Sequence, residues 1–189
     1  VGHWKRSREW ADRSLDLQSR TRLVIAAVRT MAEVFSWGAA SYLGDLRGAA
    51  AAFDRNVMQA RQCKDLFTEI MFRTGGLIPH YLILDEPDRA VGDVRGAIEM
   101  WPGQSFSLYH NYADRSLAQA ELYRGNPQGA LDAARRCWKR LSRSMVKRVS
   151  VMRSYSIDTL VRAQLATAAA AGDPGTAMKE ARKGILELQ

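Results

Sequence analysis

Three stretches of this chain reverse direction in the same way. They are Tyr42–Phe53 (YLGDLRGAAAAF), Glu121–Ala134 (ELYRGNPQGALDAA) and Ala169–Ala181 (AAAGDPGTAMKEA). In each, a glycine (Gly44, Gly125, Gly172) precedes Asp or Asn. An alanine follows five residues past the glycine (Ala49, Ala130, Ala177), and a packing-face residue follows at nine (Phe53, Ala134, Ala181). A fourth copy, Leu84–Pro102, carries Asp85 at the glycine position and keeps Ala90. Glycine ends a helix because it takes the left-handed conformation at little cost. Asp or Asn caps the next helix, and Pro87, Pro127 and Pro174 fit its first turn, where a missing N–H is harmless. The small alanine lies where the second helix crosses the first and lets the two backbones approach closely.

Paired antiparallel helices recurring in this way make a helical repeat. The spacing is 41, 40 and 47 residues between successive turns, longer than the standard tetratricopeptide period of about 34. The pattern predicts helices over 8–43, 46–61, 64–84, 88–100, 105–124, 127–142, 145–171 and 174–188. Arg73–Pro79 should kink or break the third, and Trp101–Ser105 should form a stop loop. No segment alternates as a half-buried strand does. Within 105–124, Phe106, Tyr109, Ala113, Leu117 and Ala120 form one apolar stripe, and Leu108, Tyr112 and Leu122 a second, as on an inner helix packed on two sides. Within 127–142, Ala130, Ala134, Cys137 and Leu141 face inward, with Arg135, Arg136, Lys139, Arg140 and Arg143 outward. The expected fold is all-α: a right-handed tetratricopeptide-like superhelix of about four hairpins, with repeats near 20–62, 63–102, 105–143 and 145–189 in one domain.

Composition narrows the function classes. With 189 residues, 47% apolar and 25% charged, the chain can bury a core. Its apolar runs, such as Leu23–Val28, are far shorter than a membrane span. The sequence opens without a methionine or a signal peptide, so it reads as a piece of a longer protein. Cys63 and Cys137 form no C-x-x-C pair and are expected to be small buried hydrophobes of a reduced, cytoplasmic protein. The net charge of +8 resides in one segment. Arg135, Arg136, Lys139, Arg140, Arg143, Lys147, Arg148 and Arg153 occur between Ala133 and Ile157 without an acid.

The stretch Trp101–Ala170 resembles the C-terminal region of a group of large bacterial serine/threonine protein kinases. Trp101, Phe106, Tyr109-His110-x-Tyr112, Glu121–Gly125 and the basic run before Val149 carry the likeness. Those proteins combine a kinase domain, an AAA- or STAND-type ATPase segment and tetratricopeptide-like repeats. The resemblance implies a helical-repeat sensor or docking segment of a bacterial signalling protein. It imports no kinase activity, because the chain has no glycine-rich phosphate loop, H-R-D, D-F-G or G-x-x-x-x-G-K.

No catalytic constellation or cofactor is expected. His3, His80 and His110 have no metal-ligand spacing, and His110 reads as a helix-packing residue. Asp85–Asp88 (DEPD) reads as solvated helix capping. The stronger candidate is a binding face. Arg148, Tyr155 and Arg162 are spaced by sevens and so share one helix face; Tyr112, Arg115 and Gln119 occupy the matching face of the preceding repeat. Together these six are expected to form a partner-binding groove for an acidic or C-terminal peptide, or for another domain of the same polypeptide. Arg135, Lys139 and Arg143 form a basic outer face. The rival readings are a nucleic-acid-binding array using the 135–162 segment, or the sensor region of a STAND-type transcriptional regulator.

Overall fold

The computed structural model describes residues 2–21, 26–75, 80–103 and 105–186, with backbone alone at 174, 177, 180 and 185. Among the described residues every regular element is helical. The α-helices are α1 (Trp4–Arg20), α2 (Ala26–Tyr42), α3 (Leu46–Gln62), α4 (Leu66–Gly75), α5 (His80–Ile83), α6 (Pro87–Glu99), α7 (Leu108–Tyr123), α8 (Pro127–Ser142), α9 (Ser150–Ala171) and α10 (Pro174–Leu186). A 3₁₀ turn, Met145–Arg148, precedes α9.

One reversal recurs five times. Gly44, Lys64, Asp85, Gly125 and Gly172 all hold positive φ, between 55° and 79°. At each, the following residue's amide reaches back to a carbonyl five positions earlier: Asp45 to Ala40, Asp65 to Ala60, Glu86 to Tyr81, Asn126 to Glu121 and Asp173 to Ala168. This Schellman geometry satisfies carbonyls that a helix end leaves without partners. Capping follows at once. The Asp45, Asp65 and Asn126 side chains accept from the amides of Gly48, Thr68 and Gly129. Asp85 thus takes the left-handed conformation that glycine takes in the other copies. Lys64 adds a reversal that no glycine marks.

The crossing alanines behave as their size requires. Ala49, Ala90 and Ala130 are at most 1% exposed; the side chain at 177 lies outside the described ones. Phe53, Ala134 and Ala181 are buried too. Helix α7 packs against α4, α6, α8 and α9, and α9 against α7, α8 and α10. Helices α7 and α9 therefore each meet two helices of the hairpin before them. A core of Trp37, Phe53, Val57 and Phe72 binds α2, α3 and α4. A second, of Ala118, Ala130, Leu131, Ala134 and Ala163, binds α7, α8 and α9.

Several boundaries differ from the sequence expectation. The helix expected over 8–43 is two helices lying side by side. Its first half leaves helical geometry at Thr21, which is extended; residues 22–25 lie outside the described ones. The helix expected over 64–84 is divided into α4 and α5, and residues 76–79, in the segment expected to break it, also lie outside. Helix α9 begins at Ser150, not 145, because Ser144 and Val149 are extended on either side of the 3₁₀ turn. Cys63 is exposed, since it sits at the α3 C-cap beside the Lys64 reversal; Cys137 is buried as expected.

Candidate ligand-binding site

Helix α7 is buried on more than two sides. Besides its apolar stripe it buries Asn111, Asp114, Arg115 and Ser116. A buried charge is costly unless paired, and the chain elsewhere obeys that rule. Buried Glu69 meets Arg61 at 2.9 Å and Arg73 at 3.0 Å. Buried Asp114 meets Arg136 at 2.9 Å and Arg140 at 3.3 Å. These last two arginines therefore turn toward α7 instead of standing free on the outer side.

Arg115 is the exception. It is 4% exposed, and among the described residues no carboxylate pairs with it. Its Nε has no acceptor. Its guanidinium carbon lies 4.7 Å from the centre of the Tyr155 ring, within reach of a cation–π attraction. Burial pushes its pKa below the ordinary arginine value. The neighbouring Cys137, Tyr112, Tyr155 and Tyr42 oppose that shift.

Arg115 lines a pocket of about 150 Å³. Trp37 and Gly38 of α2, Tyr112 of α7, and Met152 and Tyr155 of α9 form much of the wall. Gly75 closes α4 against Tyr112; a Cβ there would meet the ring at 3.3 Å. The rim joins the two ends of the chain. The Tyr42 hydroxyl donates to the Tyr155 hydroxyl at 3.4 Å, across 113 positions of sequence. Trp4 of α1 lines the pocket and stacks on Tyr42, ring centres 3.9 Å apart and nearly parallel. Burial, followed by the bond to Tyr155, pushes the Tyr42 phenol up; burial also raises Tyr112. Behind the pocket, Asn111 Nδ2 donates to Ser156 Oγ at 2.9 Å and to Cys137 Sγ at 3.2 Å, so α7, α8 and α9 are tied together.

The six residues expected to form a groove are divided. Tyr112, Arg115 and Tyr155 line the pocket. Gln119 and Arg162 line a neighbouring open cleft of about 460 Å³ with Leu46, Leu82, Ile83, Leu122 and Tyr123. Both hollows use one strip of α7, where positions 112, 115 and 119 share a face. Arg148 does not belong. It is exposed in the 3₁₀ turn ahead of α9, so its spacing of seven from Tyr155 no longer implies a common helix face. Arg135, Lys139 and Arg143 are exposed, and none forms an ion pair among the described residues.

The histidines have structural roles. His110 Nδ1 accepts from the Ser107 amide at 3.2 Å and meets Ser107 Oγ at 2.9 Å, completing a capping box. His80 stacks on Phe53 at 3.9 Å. In the DEPD segment, Asp85 accepts from the Tyr123 hydroxyl at 2.7 Å, and Glu86 is the N-cap residue of α6. Among the described residues no group of three His, Cys, Asp or Glu side chains could hold a metal ion. No described helix is long and apolar enough to cross a membrane.

Sequence reasoning missed Tyr42, Trp4 and Trp37. An aromatic at the end of one helix and another at the start of a different one carry no local signal that they will meet. Comparison with known proteins adds no identity: no family model, curated protein or solved structure matches this chain.

Proposed function

We propose that this chain is a tetratricopeptide-like interaction module, which captures a peptide or another domain on the strip formed by α7 and α9. The carrying observation is Arg115, a buried cation without an anion among the described residues, set among tyrosines and next to a hollow. Arg and Tyr together are the side chains that most often dominate recognition of a partner. The five equivalent reversals and the close-packed alanines support the repeat reading, in which an inner surface built from first helices receives the partner. The resemblance of Trp101–Ala170 to kinase-linked repeats extends the proposal to a regulatory segment of a signalling protein.

Panning a library of displayed peptides with free C-termini against the wild-type chain and against Tyr155→Ala tests this. Selection of acidic or carboxyl-terminated peptides by the wild type alone is expected. No enrichment, or enrichment indifferent to Tyr155→Ala, refutes it.

A second reading rests on a separate observation. Arg135, Lys139, Arg143, Lys147 and Arg148 are exposed and form no ion pair among the described residues, so they could meet phosphates. Labelled DNA and RNA titrated at low and moderate salt decide it: tight, steeply salt-dependent binding favours nucleic acid, and indifference removes it.

A further inference from the structure

We propose that the pocket at Arg115 is a carboxylate site that accepts a compact apolar acid, its charge on the guanidinium and its body against Trp37, Tyr112 and Met152. This deepens the interaction reading above, whose surface it shares.

Three observations converge. Every other buried full charge among the described residues, Glu69 and Asp114, has two arginine partners, whereas Arg115 has none. An unpaired, planar, five-donor group matches a carboxylate with two parallel hydrogen bonds, and the low-polarity surroundings strengthen them. The pocket beside it measures about 150 Å³, the size of an apolar cavity known to hold benzene. Its wall is mostly aromatic and aliphatic, so the body that follows the carboxylate must be apolar and about one ring in size. At the rim, the Tyr155 hydroxyl accepts from Tyr42 and keeps its own proton as a neutral donor that a carboxylate oxygen can engage.

The chemistry has two sources, a free small acid or the terminal residue of a peptide. The test uses sodium benzoate, with benzamide as its neutral isostere, titrated into the full chain and followed by NMR. Benzoate is expected to shift resonances of Tyr112, Met152 and Tyr155. It should bind at least about tenfold more tightly than benzamide, as a charge-assisted pair requires. Arg115→Met should abolish the difference, and Arg115→Lys should keep only part of it, because the fork is lost. If Arg115→Met does not fold, Arg115→Lys and Tyr155→Phe carry the comparison. Equal binding of the two probes, binding unchanged in the Arg115 variants, or no binding of benzoate overturns the proposal.

A second arm adds a short peptide with a free C-terminal phenylalanine, and its C-terminal amide. Displacement of benzoate by the free acid alone supports the carboxylate site and names the peptide as its source. Benzoate binding with no peptide binding leaves the acid site standing and counts against the interaction reading. Peptide binding that ignores both Arg115 and benzoate does the reverse.

Discussion

Replacing Arg115 with methionine should make the protein more stable. The side chain is 4% exposed and has no carboxylate partner among the described residues. A buried charge left uncompensated costs about 3–5 kcal/mol. The Tyr155 ring, 4.7 Å from the guanidinium, returns about 2 kcal/mol. Methionine keeps most of the stem's packing and needs no partner. Arg115→Met is therefore expected to raise the unfolding free energy by about 1–3 kcal/mol. With a urea slope of about 3 kcal/mol per molar, the midpoint moves up by about 0.3–1 M. Helix circular dichroism in urea reads this directly. Arg115→Gln, uncharged but still polar, should gain less, since its amide also lacks partners. A fall of more than about 1 kcal/mol for Arg115→Met would refute the reasoning, because it would mean that the guanidinium is satisfied inside the folded chain.

Three further outcomes follow from the turns, the thiols and the histidines. Lys64 holds φ 55° and Gly172 holds φ 69°, so Lys64→Gly should stabilise and Gly172→Ala destabilise, each by about 1 kcal/mol, in the same urea assay. Cys63 is exposed, while burial pushes the Cys137 thiol up to about 11; a disulfide reagent should label Cys63 in the native chain and Cys137 only on unfolding. Burial holds His80 and His110 below the ordinary imidazole value of 6.5, so both favour the neutral form in the fold. The stability they contribute is present above that pH and is lost as pH falls through their lower folded values. Urea midpoints should therefore drop on acidification below 6.5, and the double variant His80→Gln/His110→Gln should flatten that drop. The capping carboxylates of Asp45 and Asp173 are held low by bonds from Gly48 and Thr176, so their loss comes only at more acidic pH.

What could be read in the sequence was local. Gly44, Gly125 and Gly172 announce reversals because a positive φ selects glycine, and Asp85 was recognisable from the alanine that follows it at the right distance. Lys64 was not, since a strained lysine looks like any surface lysine; only the helix break near it was legible. The division between α1 and α2 was missed because the unbroken apolar run Leu23–Val28 contains no glycine, proline or Asp/Asn to mark it. Arg148 was placed on a helix face by arithmetic that holds only while the helix is continuous, and the extended Ser144 and Val149 interrupt it. The candidate site was half visible. Tyr112 and Arg115 declare themselves by spacing on one helix, and Tyr155 lies on the face of the next. That Arg115 would lack a partner, or that Trp4 and Tyr42 would close over it, depends on contacts between distant parts of the chain, such as Tyr42 with Tyr155 across 113 positions, for which periodicity has no term.

The meeting of Tyr42 and Tyr155 is the hinge of this account, because it brings the first and last helical pairs together around Arg115. Nuclear Overhauser contacts between ring-labelled tyrosines measure it directly. Cross-peaks between the Tyr42 and Tyr155 rings, together with Trp4–Tyr42 contacts, are predicted. Their absence, while contacts between α7 and α8 remain intact, would contradict the enclosed site and leave Arg115 on an open surface.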